Sequence, residues 1–390
     1  MTRHAVATSD AAADFPIENL PFGVVRLPDG DRRVVVRIED RVLDLAAAGI
    51  APELTAATSL DPLLASGRGS EVRERAGEVL LRRTNHLVPV DEVEVRLPFS
   101  VGDFVDFYSS LHHATNVGRI LRPASEPLLP NWRQLPVGYH SRAGTVVVSG
   151  TPVRRPLGLI GSPDGPAELA PTRALDFELE VGFVVAGPPT TTVAPDDAAR
   201  HVFGAVLVND WSARDIQALE YQPLGPFLGK SFATTISPWV VTLDALRPYL
   251  VPPPVQEPPP APHLRSTRPW GIDLDLTVTL NECAVTTTNF GGMYWTFAQQ
   301  LAHLTSNGAT TRAGDLFASG TVSGPTRSEW GSLIELSWGG AEPLALPDGT
   351  VRTYLEDGDT VTMRGSCGGH GRPRIGFGEV RGTILPAEER

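Results

Sequence analysis

The sequence predicts a mainly β protein of the α+β class that is divided into two domains. The 390 residues include 38 glycines and 36 prolines, about a fifth of the chain against a combined average of roughly 12% in proteins. These residues separate many short apolar runs, which is the pattern of strands joined by turns. At roughly 150 residues per domain, the length allows two or three domains.

The first predicted domain covers residues 1–95 and is a small β unit. The runs GVVRL, RRVVVRI and RVLDL have the alternation of short strands, and Asp29-Gly30 is typical of a hairpin turn. Residues 72–84 have the apolar spacing of a helix. We therefore expect several short strands with one helical segment.

The second predicted domain covers residues 96–390 and has longer, more apolar strands. They are predicted from TVVVSG, LDFELEVGFVV, FGAVLVND, PWVVTL, IDLDLTVTLN and LIELSW. Such runs suit strands that are covered on both faces, whereas the strict alternation of IDLDLTVTL suits a half-exposed strand. The proline-rich segment 251–269 could link two domains, but similar strands on both sides favour a surface loop within one domain.

The charge and cysteine content predict a soluble, cytoplasmic protein without a nucleic-acid or membrane partner. The 33 basic and 45 acidic side chains give a net charge of -12, and a surface of that sign repels phosphate and anionic lipid. No apolar run approaches the roughly 18 residues of a membrane helix, and the N-terminus has no secretory signal. The two cysteines, Cys283 and Cys367, predict neither a disulfide framework nor a thiolate zinc site.

Three carboxylates share one face of the strand predicted from LDFELEVGFVV. Because side chains alternate between the faces of a strand, Asp176, Glu178 and Glu180 lie together, opposite the apolar side chains between them. A solvated acidic edge would tolerate their repulsion. A hard cation such as Ca²⁺ or Mg²⁺ would relieve it through oxygen ligands, and the pattern alone leaves both interpretations open.

Polar side chains also follow the apolar strand that ends at Asp210. A helix is predicted after this strand, and Arg214, Gln217 and Tyr221 line one of its faces at spacings i, i+3 and i+7. A purely structural helix more often has an apolar stripe there. The polar stripe therefore favours a set of donors that faces an oxyanion or a carboxylate.

Lys230 is the single lysine beside 32 arginines. An ammonium is a compact charge whose pKa shifts readily, so the one lysine of an arginine-rich chain is a candidate for chemistry, with chance as the alternative. The surrounding GPFLGKS has three residues between its glycines where a phosphate-binding loop needs four. The phosphate-loop interpretation therefore fails, and the stretch is expected to be a glycine-flanked turn that presents the lysine.

The histidine pair His112-His113 follows an acid and a tyrosine in DFYSSLHH. Ser109 or Ser110 can cap a short helix that carries the pair. An isolated histidine is more often structural, but the neighbouring acid and tyrosine make acid–base chemistry an equal alternative. The sequence has no G-x-S-x-G, H-E-x-x-H or dinucleotide-binding glycine motif, so those enzyme classes have no support.

Together, these stretches resemble the fumarylacetoacetase family. In order, they are DFYSSLHHATNVG, LLPNWRQLPVGYHSRAGTVVVSGTPVRRP, LDFELE, NDWSARDIQALEYQPLGPFLGKSFATTISPWVV, NFGGMYWTFAQQLAHLTSNG, GDLFASGTVSG and LEDGDTV. The resemblance extends from about residue 15 to about residue 387. Runs such as EYQPLGPFLGKSF are much more specific than the two-carboxylate pattern of the wider superfamily.

This resemblance implies a fold and an activity. The leading domain would be an SH3-like β-barrel, the larger catalytic domain a β-sandwich roll, and the assembly a homodimer. The substrate would be a small diketo acid, 4-fumarylacetoacetate, whose carbon–carbon bond is hydrolysed to give fumarate and acetoacetate. This reaction is the last step of tyrosine, phenylalanine and homogentisate degradation.

The resemblance also implies roles for individual residues. Metal ligands for calcium, or for magnesium at the same site, would be Asp106, Glu178, Glu180 and Asp210. A second ion, Mg²⁺, would lie near Asp210, Lys230 and Thr234. The general base would be His113, oriented by Glu335, and the donors to the oxyanion and leaving group would be Arg214, Gln217 and Lys230. The substrate contacts would be Tyr108, Arg122, Tyr139, Gln217, Tyr221 and Thr321.

Two other functions are compatible with parts of the sequence. A related hydrolase of acylpyruvates or other diketones in aromatic catabolism, or a decarboxylase, could use the same scaffold, although such chains are usually shorter. A metal-stabilised binding protein without activity fits less well, because it would need neither His113 nor the polar stripe of Arg214, Gln217 and Tyr221.

Overall fold

Sheets dominate the computed structural model, which describes residues 13–82, 84–161, 165–369 and 371–388. The prediction of a mainly β protein with some helices is confirmed. The α-helices are α1 (Pro52–Thr55), α2 (Asp61–Ser66), α3 (Gly69–Leu81), α4 (Leu111–Leu121), α5 (Arg214–Glu220), α6 (Leu243–Leu246), α7 (Phe297–Thr305) and α8 (Leu333–Leu336). The strands are β1 (Phe22–Arg26), β2 (Arg32–Ile38), β3 (Arg41–Asp44), β4 (Leu87–Pro89), β5 (Glu94–Arg96), β6 (Phe104–Phe107), β7 (Gly138–His140), β8 (Val146–Val148), β9 (Val153–Arg154), β10 (Leu157–Ile160), β11 (Glu168–Pro171), β12 (Leu175–Asp176), β13 (Leu179–Val185), β14 (Val202–Asp210), β15 (Ser212–Ala213), β16 (Thr234–Ile236), β17 (Val241–Thr242), β18 (Leu250–Val251), β19 (Gly271–Ile272), β20 (Asp275–Leu280), β21 (Cys283–Asn289), β22 (Leu316–Ala318), β23 (Leu344–Ala345), β24 (Val351–Arg352), β25 (Thr360–Gly369) and β26 (Arg372–Leu385).

The N-terminal part is a five-stranded sheet in the order β4-β3-β2-β1-β5, accompanied by three helices. The predicted turn joins β1 to β2, and Gly30 adopts a φ of 94° there. The prediction of a single helical segment is wrong, because α1 and α2 precede α3. Each of these two helices is at most six residues long and has proline in its first turn. Helices this short have no apolar periodicity to detect.

The central sheet has eight strands in the order β7-β6-β22-β13-β14-β16-β8, with β17 also paired to β14. One face packs against the N-terminal sheet and helices through residues such as Val184, Val206 and Val208. The other face packs through Phe183 and Leu207 against the second large sheet, in the order β21-β20-β25-β26-β9. The central sheet is therefore covered by apolar layers on both faces, as its continuous apolar strands predict.

The face that packs against the N-terminal part also carries polar side chains, beyond the apolar layer. Strand alternation places them on this face, since each lies an even number of residues from an apolar residue of the layer. These apolar residues are Phe104, Val184, Val208 and Ile236. The polar residues on the same strands are Asp106 on β6, Glu180 on β13, Asp210 on β14 and Thr234 on β16. The sheet thus gathers them at one end of one face.

The segment LDFELEVGFVV forms two strands rather than one. β12 pairs with β15, whereas β13 pairs with β14 and β22. At the interruption, the side-chain Oδ1 of Asn209 accepts a hydrogen bond of 3.1 Å from the backbone N–H of Glu178. Glu178 also forms an isolated bridge with Ser332. The alternation of side chains nevertheless continues across the break.

The prediction of a strand from LIELSW is wrong, because Leu333–Leu336 form the short helix α8. The carboxylate of Asp176 accepts hydrogen bonds from the backbone N–H groups of Leu333 at 2.7 Å and Ile334 at 3.2 Å. These contacts stabilise the first turn of a helix. A short apolar run cannot distinguish a buried strand from a buried helix by pattern alone.

The proline-rich segment 251–269 lies between β18 and β19, which pair with each other. The prediction of a loop within one domain is therefore confirmed. The loop is anchored by Gln256, whose Nε2 donates a hydrogen bond of 2.7 Å to the carbonyl of Tyr294. Across the described ranges of the chain, no helix has the length and apolar character needed to cross a membrane.

Candidate active site

Four buried carboxylates converge at the end of the central sheet. They are Asp106, Glu178, Glu180 and Asp210, and each offers an oxygen within 4.8 Å of the others. Each of these side chains is at most 4% exposed. The alternative of a solvated acidic edge is therefore wrong, since these carboxylates are out of contact with bulk water.

Several oxygens of this cluster have no protein partner. Oδ1 of Asp106 and both side-chain oxygens of Glu180 are buried without a hydrogen bond. Burial and the nearby charge of Asp210 raise the pKa of Asp106 to about 7. Burial and the charge of Asp106 raise the pKa of Glu180 well above its usual range. Unpartnered, crowded oxygens are the donor set that a hard divalent cation binds, so the residues present fit Ca²⁺ or Mg²⁺.

Lys230 and Tyr139 contact the cluster directly. Nζ of Lys230 contacts Glu178 and lies 2.9 Å from Oδ2 of Asp210. Burial opposes the charge of Lys230, but Asp210 and Glu178 outweigh it and raise the pKa above its ordinary value. The hydroxyl of Tyr139 lies 2.9 Å from Asp106 and 3.0 Å from Asp210. The ammonium is therefore held in its charged form beside two carboxylates.

Thr234, the remaining predicted neighbour of a metal ion, contacts the same edge of the cluster. Its hydroxyl donates to Oδ1 of Asp210 at 3.2 Å. Since Lys230 already neutralises the other oxygen of Asp210, these residues fit a second cation less well than the four-carboxylate cluster does. The second Mg²⁺ stays a prediction.

Arg214 connects the cluster to a fifth carboxylate. Its Nη2 lies 2.6 Å from Oε1 of Glu178 and 2.6 Å from Oδ2 of Asp176. Nη1 donates to Oε1 of Gln217 at 3.0 Å, so two members of the polar stripe on α5 do meet. Burial alone would raise the pKa of Glu178, but Lys230, Arg214 and His113 outweigh burial and hold it below its usual range.

His113 faces the cluster from α4. Ser110 caps this helix and accepts a hydrogen bond of 3.2 Å from the backbone N–H of His113, as predicted for one of the two serines. Nδ1 of His113 lies 2.7 Å from Oε2 of Glu335, and Nε2 lies 3.8 Å from Oε1 of Glu178. His113 is 2% exposed, whereas the preceding His112 is only partly buried. One imidazole nitrogen is therefore bonded to Glu335 while the other faces the carboxylates.

Three donors around Glu335 were not predicted from the sequence. Asn116 donates to Oε1 at 2.9 Å, and Ser323 and Ser332 donate to Oε2 at 2.8 and 2.7 Å. Burial opposes the charge of Glu335, but His113, Asn116 and Ser332 outweigh burial and lower its pKa. Asn116 lies three residues after His113 on one helix face, a spacing that could have indicated it. Nothing in the sequence points to Ser323.

The other predicted substrate contacts differ in what their side chains meet. The rings of Tyr108 and His113 meet edge to face at 5.3 Å. Arg122, at the end of α4, donates to the carbonyl of Pro127 at 3.0 Å while its Nε is buried without a partner. The hydroxyl of Thr321 is also buried without one.

Tyr221, which follows α5, is another predicted site residue whose side chain is not hydrogen-bonded to the rest of the site. Within the described ranges, its hydroxyl accepts a hydrogen bond of 3.0 Å from the side chain of Gln222, and no hydrogen bond from it to another predicted site residue is present.

Comparison with known families covers most of the chain. Residues 104–385 match the family model described as fumarylacetoacetate (FAA) hydrolase C-terminal. Residues 18–98 match the model described as fumarylacetoacetase N-terminal. Both matched regions lie within the stretch that carries the sequence resemblance.

Comparison with individual proteins gives the same picture. The chain is 46% identical to fumarylacetoacetase of Caenorhabditis elegans, with 96% of this chain and 97% of the relative covered. It is 45% identical to fumarylacetoacetase of Arabidopsis thaliana, with 96% of each chain covered. A solved fumarylacetoacetate hydrolase from Exiguobacterium antarcticum shares the fold with a TM-score of 0.59 at 19% identity, over 94% of this chain and 99% of that one.

Proposed function

The chain belongs to the fumarylacetoacetate hydrolase family, and we propose which of its residues carry out the hydrolysis and how. It is a hydrolase that cleaves the carbon–carbon bond of 4-fumarylacetoacetate to give fumarate and acetoacetate. The observation that supports the assignment of residues most directly is the His113–Glu335 pair, whose free imidazole nitrogen faces the buried carboxylates.

We propose that Asp106, Glu178, Glu180 and Asp210 hold Ca²⁺, or Mg²⁺ at the same site. The unpartnered oxygens of Asp106 and Glu180 support a hard cation there. When bound, the cation supplies Lewis-acid polarisation of the diketone oxygens of the substrate. Lys230 and Arg214 balance part of the remaining negative charge, because both contact Glu178.

His113 acts as the general base. Glu335 accepts the hydrogen bond of Nδ1–H, which fixes the tautomer and leaves Nε2 to take a proton from the attacking water. The water oxygen then bonds to the carbonyl carbon on the fumaryl side, and the adjacent carbon–carbon bond breaks. The electron pair of that bond leaves on the acetoacetate fragment as an enolate, which receives a proton. Glu335 stabilises the imidazolium between the two proton transfers.

Arg214, Gln217 and Lys230 serve as fixed donors where negative charge develops. Removal of one such donor typically costs about 10² to 10³ in rate. Arg122 and the hydroxyls of Tyr108, Tyr139, Tyr221 and Thr321 are proposed to bind the substrate, with Arg122 on a terminal carboxylate. Binding of the ends fixes the reacting carbon relative to the base.

The wider setting follows from the same proposal. The reaction would end tyrosine, phenylalanine and homogentisate degradation in the cytoplasm, and the leading five-stranded sheet would be an SH3-like barrel.

We propose a homodimer, which is supported by apolar side chains on the surface: Leu159 and Leu169 face each other on the hairpin β10–β11 and are 53% and 59% exposed. Sedimentation of the wild type and of Leu169→Glu would test this, since a dimer through that hairpin should dissociate.

Loss of the absorbance of 4-fumarylacetoacetate tests the function. Purified protein should remove the absorbance, should lose this activity after treatment with EDTA, and should recover it with Ca²⁺ or Mg²⁺. A panel of acylpyruvates measured in parallel separates the proposed substrate from those of related hydrolases. Faster turnover of an acylpyruvate than of 4-fumarylacetoacetate would contradict the proposed specificity, and turnover of no diketone by a metal-loaded protein would contradict an enzymatic role.

A further inference from the structure

Asp176 lies beside the proposed active site without belonging to the four-carboxylate cluster. Its side chain is fully buried. The carboxylate accepts hydrogen bonds from Arg214, from the backbone N–H groups of Leu333 and Ile334, and from the N–H of Phe177. A buried anion with this many donors is well satisfied, so it needs no cation of its own.

On one side, Asp176 holds Arg214. Oδ2 lies 2.8 Å from Nε and 2.6 Å from Nη2 of the guanidinium. Both nitrogens meet the same carboxylate oxygen, so Asp176 holds the guanidinium along its Nε–Nη2 edge. The orientation of Arg214 toward Glu178 and Gln217 therefore depends on Asp176.

On the other side, Asp176 holds the start of α8. The distances to the N–H groups of Leu333 and Ile334 are 2.7 and 3.2 Å. Glu335 is the next residue of this single helical turn, and its carboxylate reaches His113. A displacement of the first two residues of α8 would therefore displace the partner of the base.

We propose that Asp176 is a positioning residue that fixes Arg214 and the Glu335–His113 pair relative to each other. This inference rests on the roles assigned above to those three residues. Only an ionised carboxylate can accept from the guanidinium and from both backbone N–H groups at once. An asparagine would turn its NH₂ group toward one of these donors and leave that donor unpaired.

Asp176→Asn tests the proposal, with Asp359→Asn as the matched control. Asp359 is 2% exposed and also contacts Nε and Nη2 of an arginine, Arg352, at 2.9 and 3.0 Å, with one oxygen for each nitrogen. It also accepts from a side-chain amide and a backbone N–H, but it belongs to no proposed catalytic contact. We expect Asp176→Asn to lower kcat about 10²-fold, the cost of a displacement of about 1 Å, with KM changed less than threefold. We expect Asp359→Asn to retain kcat at a similar loss of stability.

A double-mutant cycle separates positioning from a general loss of structure. If Asp176 acts partly through Glu335, Asp176→Asn should cost much less in a Glu335→Gln background than in the wild type. A full and independent loss in both backgrounds would contradict the proposed coupling. Equal loss of kcat in Asp176→Asn and Asp359→Asn would also contradict it, because a purely structural role predicts that result.

A spectroscopic measurement distinguishes failure of this inference from failure of the proposed function. The proton on Nδ1 of His113, hydrogen-bonded to Glu335, should give a downfield proton NMR signal that is absent from His113→Ala. Asp176→Asn should shift or remove this signal and Asp359→Asn should not, whether or not 4-fumarylacetoacetate is the substrate. Should Asp176→Asn fail to fold, Asp176→Glu keeps the charge but displaces the carboxylate. An unchanged signal and kcat in either folded variant would overturn the inference.

Discussion

The imidazole of His113 and the carboxylate of Glu335 are 222 residues apart in the chain, and a contact of 2.7 Å joins Nδ1 to Oε2. Both groups are buried, and three further side chains donate to the same carboxylate. A carboxylate held so firmly keeps the proton of the imidazole on Nδ1. The opposite nitrogen is thereby available on the side of the carboxylate cluster.

His113→Ala should abolish turnover and leave the fold and metal binding intact. The reason is that the variant removes the only imidazole in contact with Glu335 in the described part of the chain, while the four carboxylates stay in place. Steady-state kinetics and calcium titration calorimetry measure the two effects. His112→Ala is the matched control and should keep most of the activity. An active His113→Ala together with an inactive His112→Ala would assign the base to the neighbouring residue.

Glu180→Gln should change stability in opposite directions with and without metal. Without metal, the variant removes a carboxyl group whose raised pKa lowers the stability of the folded state at neutral pH, so its melting temperature should rise. With Ca²⁺, it lacks a ligand, so affinity should fall at least about tenfold and the melting temperature should lie below that of the wild type. Thermal unfolding with Ca²⁺ and with EDTA gives both values. Glu379 on β26 forms a partly exposed pair with Arg364 on β25, and Glu379→Gln should show neither effect.

The stabilisation by Ca²⁺ should increase with pH. Burial and the charge of Asp210 raise the pKa of Asp106 to about 7 in the metal-free protein. A raised carboxyl pKa favours the folded state at low pH, and this stability is lost as the pH rises from about 4 through about 7. Metal binding requires the ionised form, so its contribution grows over the same interval. The difference in melting temperature between Ca²⁺ and EDTA should be larger at about pH 8 than at about pH 5.

Equal calcium-induced shifts at both pH values would contradict this assignment of the raised pKa. Glu180→Gln provides the control, because a cluster with one carboxylate fewer should depend less on pH.

Lys230→Arg should be nearly inactive although it preserves the charge. Nζ of Lys230 fits between Glu178 and Asp210 in a buried position, and a planar guanidinium is larger and cannot replace a compact ammonium. We expect kcat to fall by about 10² or more. Lys230→Met, which removes the charge, should be inactive as well and should bind Ca²⁺ differently from the wild type. Wild-type kinetics in Lys230→Arg would mean that chance explains the single lysine.

Gly229→Ala should displace Lys230 from the neighbouring position. A Cβ atom on Gly229 would lie 2.8 Å from the carbonyl of Ala213 and 2.8 Å from the backbone nitrogen of Gln217. Relief of such contacts typically costs about 1–3 kcal/mol, and kcat should fall together with stability. Gly292→Ala is the control, since a Cβ atom there meets nothing within 4 Å. Unfolding in urea and steady-state kinetics measure both effects.

Local patterns predicted the parts of the site that depend on local geometry. Strand alternation placed Asp176, Glu178 and Glu180 on one face, and this holds because the period of two is a property of each strand. The cap at Ser110 and the helix that carries Arg214 are equally local. The meeting of His113 with Glu335 was implied by the family resemblance, since no periodicity relates residues so far apart.

Other parts depend on distant segments and were not predictable in this way. The break before β13 is stabilised by Asn209 from the next strand and by Ser332. The helix α8 replaces a predicted strand because Asp176 binds its first N–H groups. In both cases the backbone conformation is decided by a side chain from elsewhere in the fold, which outweighs the weak preference of a four-residue run.

The strand order β6-β22-β13 means that the proposed site is completed late in synthesis. Asp106 on β6 and Glu180 on β13 are separated by β22, which ends at Ala318, and Glu335 follows later still. At roughly 5–20 residues per second, the ribosome adds the stretch from Asp106 to Glu335 in tens of seconds. Until then, a nascent fragment that stops before α8 lacks Glu335, the proposed partner of the base.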